Sequence, residues 1–239
     1  MKNLLIGTAA LAMMASAAFA ADTVRLGTEG AYPPYNFLND AGEVDGFERE
    51  LGDELCKRAE LTCEWVTNDW DSIIPNLVSS NYDAIIAGMS ITAERAEVVD
   101  FSQNYTPPSP SAYAAMSEGV DLSGGVVAAQ TGTIQANHVV DSGATLLEFP
   151  TPDETIAAVK SGEADAVMAD KDYLIPEVEA SDLMFVGDDV PLGGGIGMAF
   201  RKSDPELRGK FDAAVASMKE DGTLNELIIK WLGEESPRF

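Results

Sequence analysis

The segment YDAIIAGMSITAER, residues 82–95, contains an apolar strand followed closely by the start of a helix. Residues 84–87 are short, apolar and partly β-branched, which predicts a buried strand. Gly88 lets the backbone turn where this strand ends. Thr92 is placed as a helix N-cap, with Glu94 in the first turn of the helix.

Arg95 lies in the first turn of this predicted helix, near the positive end of the helix dipole, where a cation is disfavoured. A bound anion would explain a cation in this place, since a guanidinium matches a carboxylate with two parallel hydrogen bonds. We therefore expect Arg95 to receive the carboxylate of a small ligand just beyond the strand. The alternative is a surface arginine that pairs with Glu94 or Glu97.

Strands and helices alternate along the rest of the chain, which predicts an α/β protein with mostly parallel sheets. A Pro-rich run at residues 106–110 is the clearest candidate domain boundary. Ligands of such sheets bind beyond the carboxyl ends of the strands. Six side chains fall at these positions in the predicted elements: Glu29, Tyr32, Trp70, Ser90, Thr133 and Asp170.

Residues 1–20 have the features of a secretory signal peptide. Lys2 makes the amino terminus positive, residues 4–18 are apolar, and Ala18-Phe19-Ala20 is a small-x-small cleavage site. We expect cleavage after Ala20 and an exported, periplasmic mature chain.

The chain is strongly acidic and contains two cysteines. It has 40 Asp and Glu residues against 15 Lys and Arg, a formal net charge of −25, so nucleic acid is not an expected partner. In an oxidising compartment, Cys56 and Cys63 are close enough in sequence to predict a small-loop disulfide, with two buried free thiols as the alternative. No metal site is expected, because the single histidine, His138, is far along the chain from both cysteines.

Each candidate site residue also has an ordinary structural explanation. Asp170 could cap the helix that follows it. Trp70 and Tyr32 could be core aromatics, and Glu29 could be one more surface carboxylate in an acidic chain. Only the combination of these residues favours the functional interpretation.

Short motifs along the whole mature chain occur in a highly specific order and spacing, although each is weak alone. They are Gly27-Thr28-Glu29 with Tyr32-Pro33-Pro34, Gly46-Phe47 with Leu51, Cys56-Lys57-Arg58 with Cys63, Asp71 with Ile74-Pro75 and Leu77, Asp83-Ala84-Ile85 with Ser90-Ile91-Thr92 and Arg95, Phe101-Ser102 with Tyr105, and Asp221-Gly222-Thr223 with Lys230-Trp231. In these motifs the chain resembles the periplasmic amino-acid-binding proteins of ABC importers (solute-binding protein family 3), of the lysine/arginine/ornithine-, histidine- and opine-binding type.

The resemblance implies the two-lobe type II periplasmic binding protein fold, with two hinge crossings and a ligand cleft between the lobes. Residues 22–108 plus 193–239 would form the first lobe, and residues 109–192 would form the second.

The resemblance also implies how the ligand's amino-acid group is held. By position, Arg95 pairs with the α-carboxylate, helped by Ser90 and Thr133. Asp170 takes the α-ammonium.

The remaining positions concern the ligand's side chain. Tyr32 and Trp70 would sandwich it, and Glu29 is at the position where members that bind basic ligands carry an acidic residue. Gly88 leaves room where some members have a serine.

The charges of these residues favour a cationic ligand side chain. Arg95 contributes one positive charge, and Asp170 and Glu29 contribute two negative charges, so a basic amino acid makes the enclosed site neutral. Aromatic faces also suit a guanidinium. The leading hypothesis is a monomeric protein, without cofactor or enzymatic activity, that delivers L-arginine, or else lysine, ornithine or histidine, to the permease and ATPase of an ABC importer.

Two other functions remain open. An arginine-derived opine would use the same side-chain pocket but needs space for a second carboxylate. An exported enzyme on this scaffold, such as a dehydratase of a cyclic acid, would need a general acid or base in the cleft. The sequence contains no evident nucleophile–base pair for such an enzyme.

Overall fold

The computed structural model describes residues 23–239, and the predicted signal peptide with its cleavage site lies outside them. The strands are β1 Val24–Thr28, β2 Ala31–Tyr32, β3 Asn36–Leu38, β4 Val44–Asp45, β5 Cys63–Thr67, β6 Ala84–Ile85, β7 Val99–Phe101, β8 Ser111–Ala115, β9 Val126–Gln130, β10 Thr145–Phe149, β11 Ala166–Asp170, β12 Met184–Val190 and β13 Ala199–Arg201. The helices are α1 Phe47–Arg58, α2 Ile73–Val78, α3 Ala93–Ala96, α4 Ile134–Ser142, α5 Pro152–Ser161, α6 Lys171–Glu179, α7 Pro205–Glu220 and α8 Thr223–Leu232. No helix in the described range is long and apolar enough to cross a membrane.

Two five-stranded sheets form the cores of two lobes. The sheet of the first lobe has the order β5-β1-β6-β13-β7, and that of the second lobe has the order β10-β9-β11-β8-β12. A small sheet of β2, β3 and β4 accompanies the first lobe, whose helices α1, α7 and α8 pack on one another. The predicted two-lobe α/β fold is confirmed, whereas the exact lobe boundaries at residues 108 and 193 remain a prediction.

The prediction of mostly parallel sheets is wrong, because both large sheets are mixed. In the first sheet, β1 is parallel to β5 and β6, but β13 is antiparallel to β6 and β7. The second sheet repeats this arrangement, with β9 parallel to its neighbours and β8 antiparallel to its own. The connections β7–β8 and β12–β13 contain no helix and pass from one sheet to the other. A strand enters a sheet parallel to its neighbour through a crossover connection, which is usually a helix. Because these two connections are not such crossovers, β8 and β13 enter their sheets antiparallel to their neighbours.

The two connections between the lobes lie side by side. Tyr105 N–H donates to the Ile196 carbonyl at 2.7 Å, and Ser102 N–H donates to the Met198 carbonyl at 2.9 Å. Bonds of this kind tie the two crossing segments together at the hinge while leaving each lobe a separate packed unit.

Three local predictions differ from the structure. The strand expected at residues 84–87 is only Ala84–Ile85. The Pro-Pro motif at residues 33–34 predicts a loop at Tyr32, but Tyr32 lies in the two-residue strand β2, since Ala31 and Tyr32 pair with Phe37 and Asn36 across the Pro-Pro turn. The polar residues 68–72 predict a loop around Trp70, but Trp70 begins a 3₁₀ turn, Trp70–Ser72, that continues into α2. In each case the local structure is decided by residues outside the local motif, either through strand pairing or through continuation into the next helix.

The cysteine pair forms the predicted disulfide. Cys56 lies near the end of α1 and Cys63 begins β5, and the bond closes a loop with a sequence separation of 7 residues. The bond therefore fixes the end of the helix to the start of the strand, and the alternative of two free thiols is excluded.

Candidate functional site

A single cavity between the lobes is lined by all eight residues predicted to bind the ligand. The predicted residues are Glu29, Tyr32, Trp70, Gly88, Ser90, Arg95, Thr133 and Asp170, and Ala87, Gln130, Ile134 and Gln135 complete the lining. The cavity has a volume of about 330 Å³ including its open mouth.

Arg95 faces both lobes from the first turn of α3. Thr92 caps this short helix by accepting a hydrogen bond from the Arg95 N–H at 3.1 Å. The guanidinium donates to the Ser90 carbonyl at 2.9 Å and, across the cleft, to the Gly132 carbonyl at 3.3 Å. Burial lowers its pKa to about 10, so it remains a cation at neutral pH. Neither Glu94 nor Glu97 pairs with it among the described residues, which excludes the alternative of a surface ion pair.

Asp170 occupies the N-cap position of α6, but its side chain does not cap that helix. The carboxylate instead accepts hydrogen bonds from the Tyr32 hydroxyl at 2.8 Å and from Gln135 Nε2 at 2.9 Å. Burial raises its pKa to about 6, against the opposing effect of the Tyr32 hydrogen bond and the Arg95 charge. Of the two explanations left open by the sequence, helix capping is wrong for the carboxylate, which belongs to the cavity wall.

Glu29 follows β1 in the first lobe and reaches the second lobe. Its Oε1 accepts a hydrogen bond from Gln130 Nε2 at 2.6 Å. Burial raises its pKa to about 7, partly offset by this hydrogen bond. A surface carboxylate would show neither effect, so Glu29 is a component of the cleft.

The two aromatic rings have neighbours within the protein. Tyr32 stacks on Tyr173, with ring centroids 4.5 Å apart and planes inclined by 7°. The Arg95 guanidinium lies over the Trp70 ring, 5.3 Å from its centroid. One face of each ring is therefore already covered, and a ligand between them would meet the opposite faces.

Gly88, Ser90 and Thr133 differ in whether their hydrogen-bonding groups are free to bind a ligand. Gly88 has a positive φ of 60° and gives its N–H to the buried Glu48 carboxylate at 2.6 Å. The Ser90 hydroxyl has no hydrogen-bond partner among residues 23–239, whereas the Thr133 hydroxyl is occupied. It donates to the Gln130 carbonyl at 2.7 Å and accepts the Ala136 N–H as the N-cap of α4.

Sequence reasoning did not select three polar residues that shape the site. Gln130 ends β9, and Gln135 lies in the first turn of α4, both almost fully buried at the cavity wall. Glu48, which is completely buried at the start of α1, holds the Gly88 backbone. The rule that ligands bind at the carboxyl ends of strands would have found Gln130. No local signal marks Glu48.

The described residues contain no group of three or more His, Cys, Asp or Glu side chains arranged to hold a metal ion. The polar groups of the cavity are thus one guanidinium, two carboxylates, hydroxyls and amides. Such a set can bind a zwitterion with a further positive group through complementary charges and hydrogen bonds.

Comparison with known proteins shows that the chain is similar to amino-acid-binding proteins. The chain is 34% identical to the L-arginine-binding protein of Pseudomonas aeruginosa, over 97% of this chain and 96% of that protein. It is 30% identical to the lysine/arginine/ornithine-binding periplasmic protein of Escherichia coli, over 96% and 94% of the two chains. A crystal structure of a periplasmic His/Glu/Gln/Arg/opine family-binding protein from Silicibacter pomeroyi in complex with lysine is 74% identical, with a TM-score of 0.90 over 91% of this chain and 100% of that chain.

A family model also covers almost the whole described chain, from residue 24 to residue 234. With this match and with relatives of 30% identity or more along most of its length, the chain belongs to the bacterial extracellular solute-binding proteins, family 3.

Proposed function

We propose that this protein captures a basic amino acid in the periplasm and delivers it to the membrane components of an ABC importer. The observation that carries the proposal is the charge of the cavity, where one cation, Arg95, faces two carboxylates, Glu29 and Asp170. A zwitterion with a cationic side chain neutralises this set. A ligand with an acidic side chain would leave buried charges unpaired, at a cost of several kcal/mol.

The ligand's amino-acid group is assigned to the walls near the hinge. The α-carboxylate pairs with Arg95 and the Ser90 hydroxyl, and the α-ammonium pairs with Asp170. The Thr133 hydroxyl is engaged within α4, so we assign to this residue a contribution through the backbone at the helix N-terminus, which favours an anion.

The ligand's side chain is assigned to the space between Glu29, Tyr32 and Trp70. Because Glu29 and Trp70 come from the first lobe and Asp170 from the second, one ligand contacts both lobes. Contacts to both lobes are available only in the closed state, so the ligand favours closure by its differential affinity for that state.

The charges of the cavity support an amino acid over an opine. An opine carries a second carboxylate, which would add a negative charge to a cavity that already holds Glu29 and Asp170. An enzymatic function has less support than binding, because the named relatives are binding proteins. Conversion of any bound amino acid by the purified protein would reopen that alternative.

Calorimetry with a panel of amino acids tests the proposal. We expect tight binding of lysine, arginine or both, and none of glutamate. Glu29→Gln should weaken basic ligands by about tenfold or more, from the loss of a charge-assisted hydrogen bond. The exposed Glu97→Gln is the matched control for loss of one negative charge and should leave affinity unchanged. Tight glutamate binding without any basic ligand would overturn the proposal.

A further inference from the structure

An open groove adjoins the ligand cavity and crosses the boundary between the lobes. Ile74 of α2 and Val98, which directly precedes β7, line it from the first lobe, and Ile134 of α4 lines it from the second. Arg95 and Gly132 also line the groove, and the 3.3 Å hydrogen bond between them joins the lobes at this place. The groove is therefore built by both lobes together, and it exists in this form only while they face each other closely.

Exposed apolar side chains extend the groove on both lobes. Val98 itself is 53% exposed. Val78, which is 51% exposed, lies one turn beyond Ile74 on α2. Val140, which is 59% exposed, lies one turn beyond the lining residue Asn137 on α4. Exposed apolar residues are ordinary when they are scattered singly, but three that follow one groove mark an interaction surface.

Four exposed carboxylates border the groove: Asp71, Glu94, Glu97 and Asp141. Glu94 lines the groove, and Asp71 lines the recess next to it. Glu97 and Asp141 each adjoin one of the exposed valines in sequence. None of the four forms an ion pair among residues 23–239. The border of the groove is therefore acidic, with negative charges that the described part of the chain does not pair.

This lining favours a protein segment over a small molecule. The hydroxyls of Thr92 and Thr133 are engaged as helix N-caps, and the Arg95 guanidinium donates to two backbone carbonyls. The other polar side chains that line the groove, Glu94 and Asn137, are exposed at its edge. A small molecule is oriented by polar groups that converge on it, and this groove instead offers apolar walls with a charged border.

The charge of the border decides which partner fits. A second copy of this chain, with a formal net charge of −25, and an anionic lipid surface would both be repelled. A protein segment with Lys or Arg beside apolar side chains complements both the carboxylates and the valines.

Resting on the proposed function, we propose that this groove is the surface on which a basic and apolar segment of the importer's membrane component docks. Because both lobes supply its walls, the complete surface is present only when the lobes are closed on a ligand. The same closure that captures the amino acid therefore completes the surface that the importer recognises, and the empty protein docks more weakly.

The test uses spheroplasts of the source bacterium that lack this gene and are supplied with purified protein. Uptake of radiolabelled lysine and arginine gives the concentration of protein that half-saturates the importer, and calorimetry gives the ligand affinity of each variant. The Val98→Asp, Val140→Asp double variant places a carboxylate on the apolar surface of each lobe. The Glu97→Lys, Asp141→Lys double variant reverses one border charge on each lobe. We expect the half-saturating concentration to rise by about tenfold in both, with unchanged ligand affinity, which also shows that the variants are folded.

Matched control variants carry the same chemical changes away from the groove. Asp40→Lys with Glu163→Lys reverses one exposed charge on each lobe, in the turn between β3 and β4 and in the loop after α5. Met116→Asp places a carboxylate at an exposed apolar position that follows β8, beside the start of β11 and so at the end of the sheet remote from Asp170. These variants should stay within about twofold of the wild type in half-saturating concentration.

The inference is overturned if the groove variants half-saturate the importer at the same concentration as the controls, or if their ligand affinity falls by the same factor as their uptake. It is also overturned if the wild type sediments as a dimer that the Val98→Asp, Val140→Asp variant dissociates, since the groove would then hold a second copy. In each of these cases the proposed function stands. A wild type that binds no basic amino acid, or binds one without supporting its uptake, would refute the proposed function itself.

Discussion

The buried carboxylate of Glu48 connects three parts of the first lobe, and its replacement by glutamine should destabilise the protein by a predictable amount. Its Oε1 accepts hydrogen bonds from the Gly88 N–H and the Tyr105 hydroxyl, and its Oε2 accepts one from Asn36 Nδ2 at 2.7 Å. Burial raises the pKa of Glu48, and these three donors oppose that effect. The Asn36 amide cannot reverse, because its Oδ1 accepts the Gly30 N–H at 2.7 Å.

Glu48→Gln keeps the shape of the side chain but places an amide nitrogen against a hydrogen-bond donor. If the glutamine oxygen takes the Oε1 position, its nitrogen faces Asn36 Nδ2, and one buried donor is left unsatisfied at a cost of ~1–3 kcal/mol. For a chain of this size, each 1 kcal/mol lowers the melting temperature by ~2–4 °C. We therefore expect a decrease of about 2 to 12 °C.

Thermal unfolding of the ligand-free protein, followed by calorimetry, measures this decrease. Asn36→Asp provides a matched compensation, because an aspartate there accepts both the Gly30 N–H and the amide of the new glutamine. The Glu48→Gln, Asn36→Asp double variant should therefore be more stable than the sum of the single effects by ~1 kcal/mol or more. A melting temperature of Glu48→Gln within about 1 °C of the wild type, or strict additivity in the double variant, would refute the reasoning.

Three further outcomes follow from the structure. Burial raises the pKa of Glu29 to about 7, and a cationic ligand lowers it again. Lysine affinity measured by calorimetry should therefore decrease by about fivefold through Glu29 as the pH falls from 7 to 6, and Glu29→Gln should reduce this dependence to the smaller contribution of Asp170, whose pKa is about 6. Replacement of Cys56 and Cys63 by serine should lower the free energy of unfolding in urea by ~2–3 kcal/mol, from the entropy of the small loop, and an unchanged value would contradict this. Tyr35→Phe should weaken lysine and arginine alike by about two- to tenfold in calorimetry, and a change of selectivity would show that its hydroxyl does more than join the lobes.

Local chemistry was sufficient to predict several elements of the fold. Thr92 caps α3 as expected, and the Thr-Pro-Asp-Glu motif at residues 151–154, which predicts a capping box, forms one at the start of α5. These features depend on atoms three residues apart, so the sequence contains all that determines them. The antiparallel strands β8 and β13 depend instead on how the chain crosses between the sheets, which no local pattern encodes.

In the candidate site, too, local features could be predicted from the sequence, whereas contacts between distant residues could not. The position of Asp170 at the end of a strand could be predicted, but the choice between capping α6 and facing the cavity could not. That choice is decided by Tyr32, which is 138 residues away and whose hydroxyl donates to the Asp170 carboxylate. Gln130 likewise begins a Gly-containing turn that the sequence predicts at residues 130–133, but its partner Glu29 is 101 residues away.

The contacts that join the lobes across the cleft also limit the free energy that a ligand can contribute to closure. Tyr32 with Asp170, Glu29 with Gln130 and Arg95 with the Gly132 carbonyl already join the lobes through the residues assigned to the ligand. A ligand therefore shares or replaces these bonds, and its net gain is the difference between its own charge pairing and theirs. With a neutral amino acid bound, the Gln130 amide would be the hydrogen-bond partner of the Glu29 carboxylate, and no positive charge would face it. A cationic side chain would bring that carboxylate a full opposite charge in a partly desolvated place, where the attraction is stronger than in water. Discrimination between the two ligands thus depends on the burial of Glu29 and not on the number of contacts that the ligand makes.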